Sequence, residues 1–422
     1  MSLSDFDTPP EYDLSHFYHG AGEDIYDLLK PFHDWWHTSA LPAGYHLYQE
    51  AMQTAPETEV TVRGNQDGES HALLNFSSYN YLGLAASDVA VEAVTEAVRK
   101  YGLGASGGPI LSGVFDIHRE LETELARFKN KEAAILYPSG YSANVGIISA
   151  LMRSGDHIFA DQYSHASILD GTVLAKSRTV LFRHNNPADL ERKLAGVSGK
   201  KLVVVEGIYS MDGDFCRLPE IVAVAKRHDA RIMIDEAHSA FLYGPQGRGI
   251  AEHFGLEAEV DFHMGTFSKA LGGIGGYACG SREFIQYLAA YSRSRFFSCT
   301  LPPAVTAGIL ANLRYMDANP GLRLRLRKNA DYMRARLQEE GIDIGASVSQ
   351  IIPVMIYDEA TAFRVAEKIR GRGIYLQPAT YPGVPKRKAR LRVSVSASHT
   401  CAQLDRAVEI ITDTLREEGV IA

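Results

Sequence analysis

Cysteine is scarce and scattered in this sequence. The four residues, Cys216, Cys279, Cys299 and Cys401, stand in a chain of 422 and form no CxxC pair. That spacing excludes a disulfide framework and a thiolate metal site, and it fits a reducing compartment. No apolar run reaches the length of a bilayer span, so no integral membrane segment is expected. The opening residues 1–20 are polar and expected to be loose, with acidic side chains and Pro9-Pro10 where a secretory signal would have an apolar stretch. There is no excess of positive charge. The 43 Lys and Arg against 51 Asp and Glu give a net charge of −8, which argues against a nucleic-acid-binding body but leaves room for a local basic patch toward an anionic ligand. Internal repeats and low-complexity tracts are absent. What remains is an ordinary balance of 45% hydrophobic and 22% charged residues. The length suits one large domain with one or two smaller ones, and a soluble, cytoplasmic protein is expected.

The pattern along the chain divides into three blocks. Residues 1–84 form an N-terminal block. Within it, 21–55 read as amphipathic helix around Ile25, Leu28, Leu29, Phe32, Trp35 and Trp36, an aromatic density that points to docking on a larger body or a partner chain. Residues 58–76 alternate around the turn Gly64–Gly68, which predicts a β-hairpin. From 85 to 305, short β-branched runs alternate with helical periods. The runs are Ala133–Tyr137, His157–Ala160, Val180–Phe182, Leu202–Val205, Arg231–Ile234, Phe262–Met264 and Tyr277–Cys279. The helices include Val89–Tyr101, Ile117–Phe128, Asn144–Met152, Pro187–Leu194 and Glu220–His228. Buried strands alternating with helices predict an α/β domain with a mostly parallel sheet. Residues 306–422 read as a smaller α+β block. One long helical stretch follows Pro302, strands are expected at Ile351–Ile356 and Leu391–Val395, and helices at Ala362–Arg370 and Ala402–Glu417.

Four segments carry candidate chemistry. Asp235 ends the apolar run Arg231-Ile-Met-Ile, so it falls at the carboxyl end of a buried strand, where open α/β sheets bind ligands. A carboxylate there requires a partner. His238 follows in Asp235-Glu-Ala-His, but no third and fourth metal ligands accompany the pair, and an N-capping aspartate with an incidental histidine is an equal reading. Lys269 lies just beyond another strand in Gly265-Thr-Phe-Ser-Lys. Desolvation there would make it a Schiff-base nucleophile, with Thr266 and Ser268 available for a phosphate, although a loop lysine is more often a solvated charge. The glycines at 272–276 do not have the dinucleotide spacing. Ser139-Gly-Tyr lies between a strand and a helix, which is an anion site if the turn is not simply tight. His165, in Tyr163-Ser-His-Ala-Ser, is taken alone an ordinary polar residue. Along the chain they run as a phosphate-type turn, a histidine, the strand-end Asp235-Glu-Ala-His and the post-strand Thr266-Phe-Ser-Lys, the order that a fold-type-I pyridoxal-phosphate enzyme requires.

Together these segments make the chain similar to the α-oxoamine synthase family of fold-type-I pyridoxal-phosphate enzymes. That family includes serine palmitoyltransferase, 8-amino-7-oxononanoate synthase, 5-aminolevulinate synthase and 2-amino-3-ketobutyrate CoA ligase. The resemblance runs from about 58 to 420. It is carried also by Ser78-Tyr-Asn-Tyr-Leu-Gly-Leu, Tyr101-Gly-Leu-Gly-Ala-Ser-Gly, Ser112-Gly through His118, Asp161 to His165, Tyr209-Ser-Met-Asp-Gly-Asp and Leu391-Arg-Val-Ser through Thr400.

The resemblance implies an aspartate-aminotransferase-like fold and a shared-site homodimer. It implies condensation of an amino acid with an acyl thioester, with loss of carbon dioxide. Lys269 would hold the cofactor and move the substrate proton, and Asp235 would pair with the ring nitrogen. His165 would stack on the ring, while His238 and Ser210 would approach its phenolic oxygen. Gly140, Tyr141, Thr266 and Ser268 would cup the phosphate, Thr300 would reach a phosphate in the other subunit, and Arg392 would take the substrate carboxylate. Gly108 offers no side-chain wall against amino acids larger than glycine, and Tyr79 leans towards serine. The acyl donor is coenzyme A or an acyl carrier protein. Rival readings are an aldolase or aminotransferase on the same fold, a non-catalytic partner subunit and a nucleotide-binding enzyme built on glycines 272–276. A non-catalytic subunit would have lost the lysine, and a nucleotide enzyme leaves Lys269 and Asp235 without roles.

Overall fold

The computed structural model describes residues 14 and 17 and residues 23–422, so the expected loose segment 1–20 lies outside the described residues except at Leu14 and Phe17. By contact the chain forms two compact units. One holds 79–210 and 214–325; the other holds 1–78, 211–213 and 326–422. Of the three blocks read from the sequence, the N-terminal helix and hairpin thus fall with the C-terminal block in one unit.

The larger unit is built on a seven-stranded sheet. Its order is Ala133–Tyr137, Gly276–Gly280, Phe262–Thr266, Arg231–Asp235, Lys201–Glu206, His157–Asp161, Arg178–Phe182. Gly276–Gly280 runs antiparallel to both neighbours, and the remaining strands run parallel. Six neighbouring strands of the sheet, from Ala133–Tyr137 to His157–Asp161, are buried almost throughout, which explains their apolar runs. Ile147, Ile158, Val204, Met233 and Ala278 close the core between sheet and helices, each large side chain contributing about 1.5–3 kcal/mol on burial.

Helix starts in this unit are set by local polar chemistry. Ser87 caps Asp88–Tyr101, and Ser139 caps Gly140–Leu151 through a reciprocal pair with Ser142. His165 caps Ala166–Ala175, and Asn186 caps Pro187–Leu194, where Pro187 takes a position that needs no amide partner. The single long helical stretch expected after Pro302 is two helices, Pro303–Ala318 and Gly321–Glu339. Pro320 intervenes and cannot continue the first.

The smaller unit has a four-stranded sheet, Ala51–Met52, Glu59–Arg63, Ser70–Asn75, Ile374–Tyr375, and a three-stranded antiparallel sheet, Ile351–Tyr357, Ala389–Ser394, Pro378–Ala379. The predicted hairpin is present, with Val60 opposite Leu73. The helix read over 21–55 is shorter than expected: Tyr26–Trp35, followed by a π-helical turn to Ala40 and a short turn at Tyr45–Leu47. Gly44, at φ +112°, is outside helical space, and an added Cβ there would lie 2.6 Å from that of Phe363. Trp35, Trp36, Tyr45, Tyr48 and Phe363 interlock with ring centroids 4.7–6.2 Å apart, so the aromatic density fills this unit's own core. Among the described residues, no helix is long and apolar enough to cross a membrane.

Candidate active site

The strands of the larger unit deliver their last residues to one sheet edge. Asp161, Glu206, Asp235 and Thr266 each end a strand, and Glu206 stands in register with Asp235. Asp235 is 4% exposed. One of its oxygens accepts from Ala237 N at 2.8 Å and the other from Asn144 Nδ2 at 2.7 Å. Those two donors satisfy a carboxylate that burial would otherwise penalise. Asn144 lies one turn into the helix Gly140–Leu151, is 1% exposed, and also donates to Ser167 Oγ at 2.9 Å.

At the start of that helix the capping pair uses the amide of Ser142. The amides of Gly140 and Tyr141 precede the first helical carbonyls and point out of the N-terminus, a ready anion site. A Cβ on Gly140 would lie 3.0 Å from Thr266 Cβ, so a glycine lets the helix start and the strand end converge. Thr266 Oγ1 meets Ser268 Oγ at 2.8 Å and donates to Gly275 O at 2.7 Å. Phe267 N also bonds Gly275 O, at 3.0 Å. The glycine run therefore folds back on the lysine loop. Gly272 and Gly275, both at positive φ, pack against Ala85 and Leu301. This close packing accounts for the glycines without a nucleotide.

Lys269 is half-buried, and its Nζ lies 5.8 Å from the centroid of the Tyr79 ring. Tyr79 meets His238 edge-on at 6.0 Å, and His238 Nδ1 pairs with Tyr81 Oη at 2.9 Å. His165 is exposed, its Nδ1 bonded to Ser167 Oγ at 2.8 Å. Surrounding protein lowers its pKa below the ordinary value; the charge of Asp235 opposes this and that of Lys269 adds to it, so both charges are felt at the ring. Glu206 Oε1 accepts from His165 N at 2.5 Å. Desolvation first, then the charge of Asp235, pushes the Glu206 carboxyl well above its usual range.

The structure thus brings together Lys269, Asp235, His165, His238, Tyr79, Gly140, Tyr141, Thr266 and Ser268 in the larger unit. Ser210 lies in the same unit, on the segment after the Lys201–Glu206 strand. Tyr141 is half-exposed and its hydroxyl bonds Asp170. Thr300 donates its hydroxyl to Gly113 O, so it would have to turn before donating to a phosphate. An added Cβ on Gly108 would lie 3.3 and 3.4 Å from the backbone oxygens of Ser298 and Phe296, so backbone packing favours glycine there. Arg392 belongs to the smaller unit, where it is 7% exposed and donates to Ser394 Oγ at 2.8 Å. Among the described residues, no three His, Cys, Asp or Glu side chains converge as metal ligands. The reading from sequence missed Asn144, Ser167 and Glu206. Glu206 ends an apolar run as Asp235 does, and that signal would have found it.

Residues 71–411 match the aminotransferase class I and II family model. The chain is 41% identical to 8-amino-7-oxononanoate synthase of Lysinibacillus sphaericus, over 88% of this chain and 94% of that one. It is 40% identical to serine palmitoyltransferase of Sphingobacterium spiritivorum, over 89% and 94%. The chain belongs to the α-oxoamine synthase family. Its structure superposes on serine palmitoyltransferase from S. paucimobilis, solved with a bound PLP–myriocin aldimine, with a TM-score of 0.89 and 34% identity over 94% of this chain and all of that one. The fold is therefore that of fold-type-I pyridoxal-phosphate transferases. The arrangement at the sheet edge fits that cofactor: a satisfied carboxylate, a nearby lysine, an exposed imidazole and helix-terminal amides. The buried Oδ1 of Asn144 and Oγ of Ser164 also lack protein partners there.

Proposed function

We propose that this α-oxoamine synthase condenses serine, alanine or glycine with an acyl thioester, giving an α-amino ketone, carbon dioxide and a free thiol. Pyridoxal phosphate, when bound, supplies an electron-withdrawing ring that stabilises negative charge on the substrate α-carbon. Lys269 would hold the cofactor through Nζ and would take the substrate α-proton and return it. Asp235, steadied by Asn144 and Ala237 N, would keep the proton on the ring nitrogen. His165 would lie against the ring, and His238, backed by Tyr81, would serve its phenolic oxygen with Ser210. The amides of Gly140 and Tyr141 and the hydroxyls of Thr266 and Ser268 take the phosphate. Thr300 completes that site from the partner subunit of a homodimer. Arg392 captures the substrate carboxylate, a task suited to its planar fork, and Tyr79 and Gly108 border the substrate. The thioester is carried by coenzyme A or an acyl carrier protein, and the reaction is cytoplasmic.

The observation that carries this reading is the convergence at one sheet edge of Asp235, held by Asn144, with Lys269 and the outward amides of Gly140 and Tyr141. The test is an absorption titration of cofactor-loaded protein with single amino acids, without thioester. A visible band that changes with one of the three names the nucleophile. A band that responds to none of them overturns the substrate assignment.

A further inference from the structure

A buried ion cluster lies in the larger unit, on segments adjoining residues assigned to the cofactor. Asp161, fully buried at its strand end, accepts through Oδ1 from Tyr163 N at 2.8 Å and through Oδ2 from Asn185 N at 2.8 Å and Tyr209 Oη at 3.0 Å. His184, 18% exposed, places Nδ1 3.0 Å from Asp161 Oδ1 and Nε2 3.0 Å from Asp214 Oδ2. The Tyr163 ring stacks on it at 4.6 Å, and the Tyr209 ring meets it edge-on at 4.5 Å. A carboxylate on each nitrogen requires both nitrogens to donate, so the ring is an imidazolium. One carboxylate precedes Ser164-His165 in the chain; the other follows Tyr209-Ser210.

We propose that His184 is a positioning residue, whose imidazolium ties Asp161 to Asp214 and so fixes the two segments that carry His165 and Ser210. Without that cation the two buried carboxylates repel each other and both segments lose their anchor. Burial alone would lower the His184 pKa, but Asp161 and Asp214 outweigh it and push it up to about 10. Of the other groups around the cluster, Tyr209 and Cys216 are kept protonated by burial; Glu206 acts on Tyr209, and Glu236 and Glu220 act on Cys216. A histidine pKa raised from 6.5 gives stability that is full below 6.5 and is lost as pH rises through about 10.

The inference rests on the cofactor reading and is tested on the full-length dimer by cofactor dissociation constants across pH. His184→Gln should keep its far-ultraviolet circular dichroism but bind pyridoxal phosphate at least roughly tenfold more weakly near neutral pH. The gap from wild type should close as pH approaches about 10, where wild type loses its own imidazolium. Equal affinity near neutrality, or a gap that does not change with pH, overturns the proposal. If His184→Gln does not fold, Asp214→Asn serves, because it removes one charge and should shift the wild-type loss of affinity to lower pH. An unshifted loss would overturn the idea equally. Absence of a visible band in the wild type would be a failure of the cofactor reading, distinct from either result.

Discussion

Replacing Asn144 should destabilise the larger unit even with no cofactor present. Its amide donates to Asp235 at 2.7 Å and to Ser167 at 2.9 Å, and it is 1% exposed, so water cannot replace it. A hydrogen bond to a charged group contributes about 1.5–3 kcal/mol net. At about 2–4 °C per kcal/mol for a domain of this size, Asn144→Ala should melt about 3–12 °C below wild type. Thermal melts of cofactor-free protein measure this directly. Asn144→Leu fills the volume without the donor, so a similar drop would assign the loss to the hydrogen bond rather than to a void. Asn144→Asp adds a second carboxylate beside Asp235. The folded state then holds a proton that the unfolded chain releases, so stability falls further as pH rises above the usual carboxylate range of about 4. Melts within a degree of wild type for both Asn144→Ala and Asn144→Leu would refute the account of how Asp235 is held.

Lys269→Ala should abolish both the visible band of loaded protein and product formation; full turnover would remove Lys269 from the mechanism. Arg392→Ala should raise the amino-acid KM by roughly tenfold or more while cofactor affinity stays unchanged, because truncating one partner of a charged pair costs about 2–5 kcal/mol. An unchanged KM refutes the carboxylate role. His399 is buried, stacks on Phe76 at 4.3 Å and bonds Asn75 O, and desolvation lowers its pKa to about 4. A lowered histidine pKa means that the unfolded chain binds the proton first. Stability should therefore fall as pH drops from 6.5 to about 4, and His399→Asn should flatten that slope in urea melts.

The expected strands were found close to where the sequence put them, and four of them fell short at their carboxyl ends. His157–Ala160, Leu202–Val205, Arg231–Ile234 and Phe262–Met264 stop before Asp161, Glu206, Asp235 and Thr266, the residues that end the observed strands. An apolar run ceases to signal a strand where a buried polar residue begins. Lys269, Asp235 and the Ser139-Gly-Tyr turn were legible because each follows such a run directly. Asn144 was not, because a polar residue at the fifth position of a helix reads as a solvated face until the strand it covers is known. The helix Ala166–Ala175 was also missed: Val173 and Leu174 are exposed, so its apolar residues surround the axis and show no face. The over-long helices at 21–55 and after Pro302 ignored Gly44 and Pro320.

The pair Glu206 and Asp235 shows how two neighbouring strand-end acids are set apart by their donors. Parallel strands in register put two carboxyls side by side at a buried edge, and two such groups do not both ionise without cost. The surrounding donors differ. Asp235 receives Asn144 Nδ2 and Ala237 N, whereas Glu206 has a single bond from His165 N. Burial, with the charge of Asp235 behind it, pushes the Glu206 carboxyl well above its usual range, and its one bond is to the backbone of His165. Asp235 thus has two donors at the edge where a positively charged ring nitrogen would need a carboxylate. Glu206 holds the segment whose imidazole would lie on that ring, so the two neighbouring acids take different tasks from different donors.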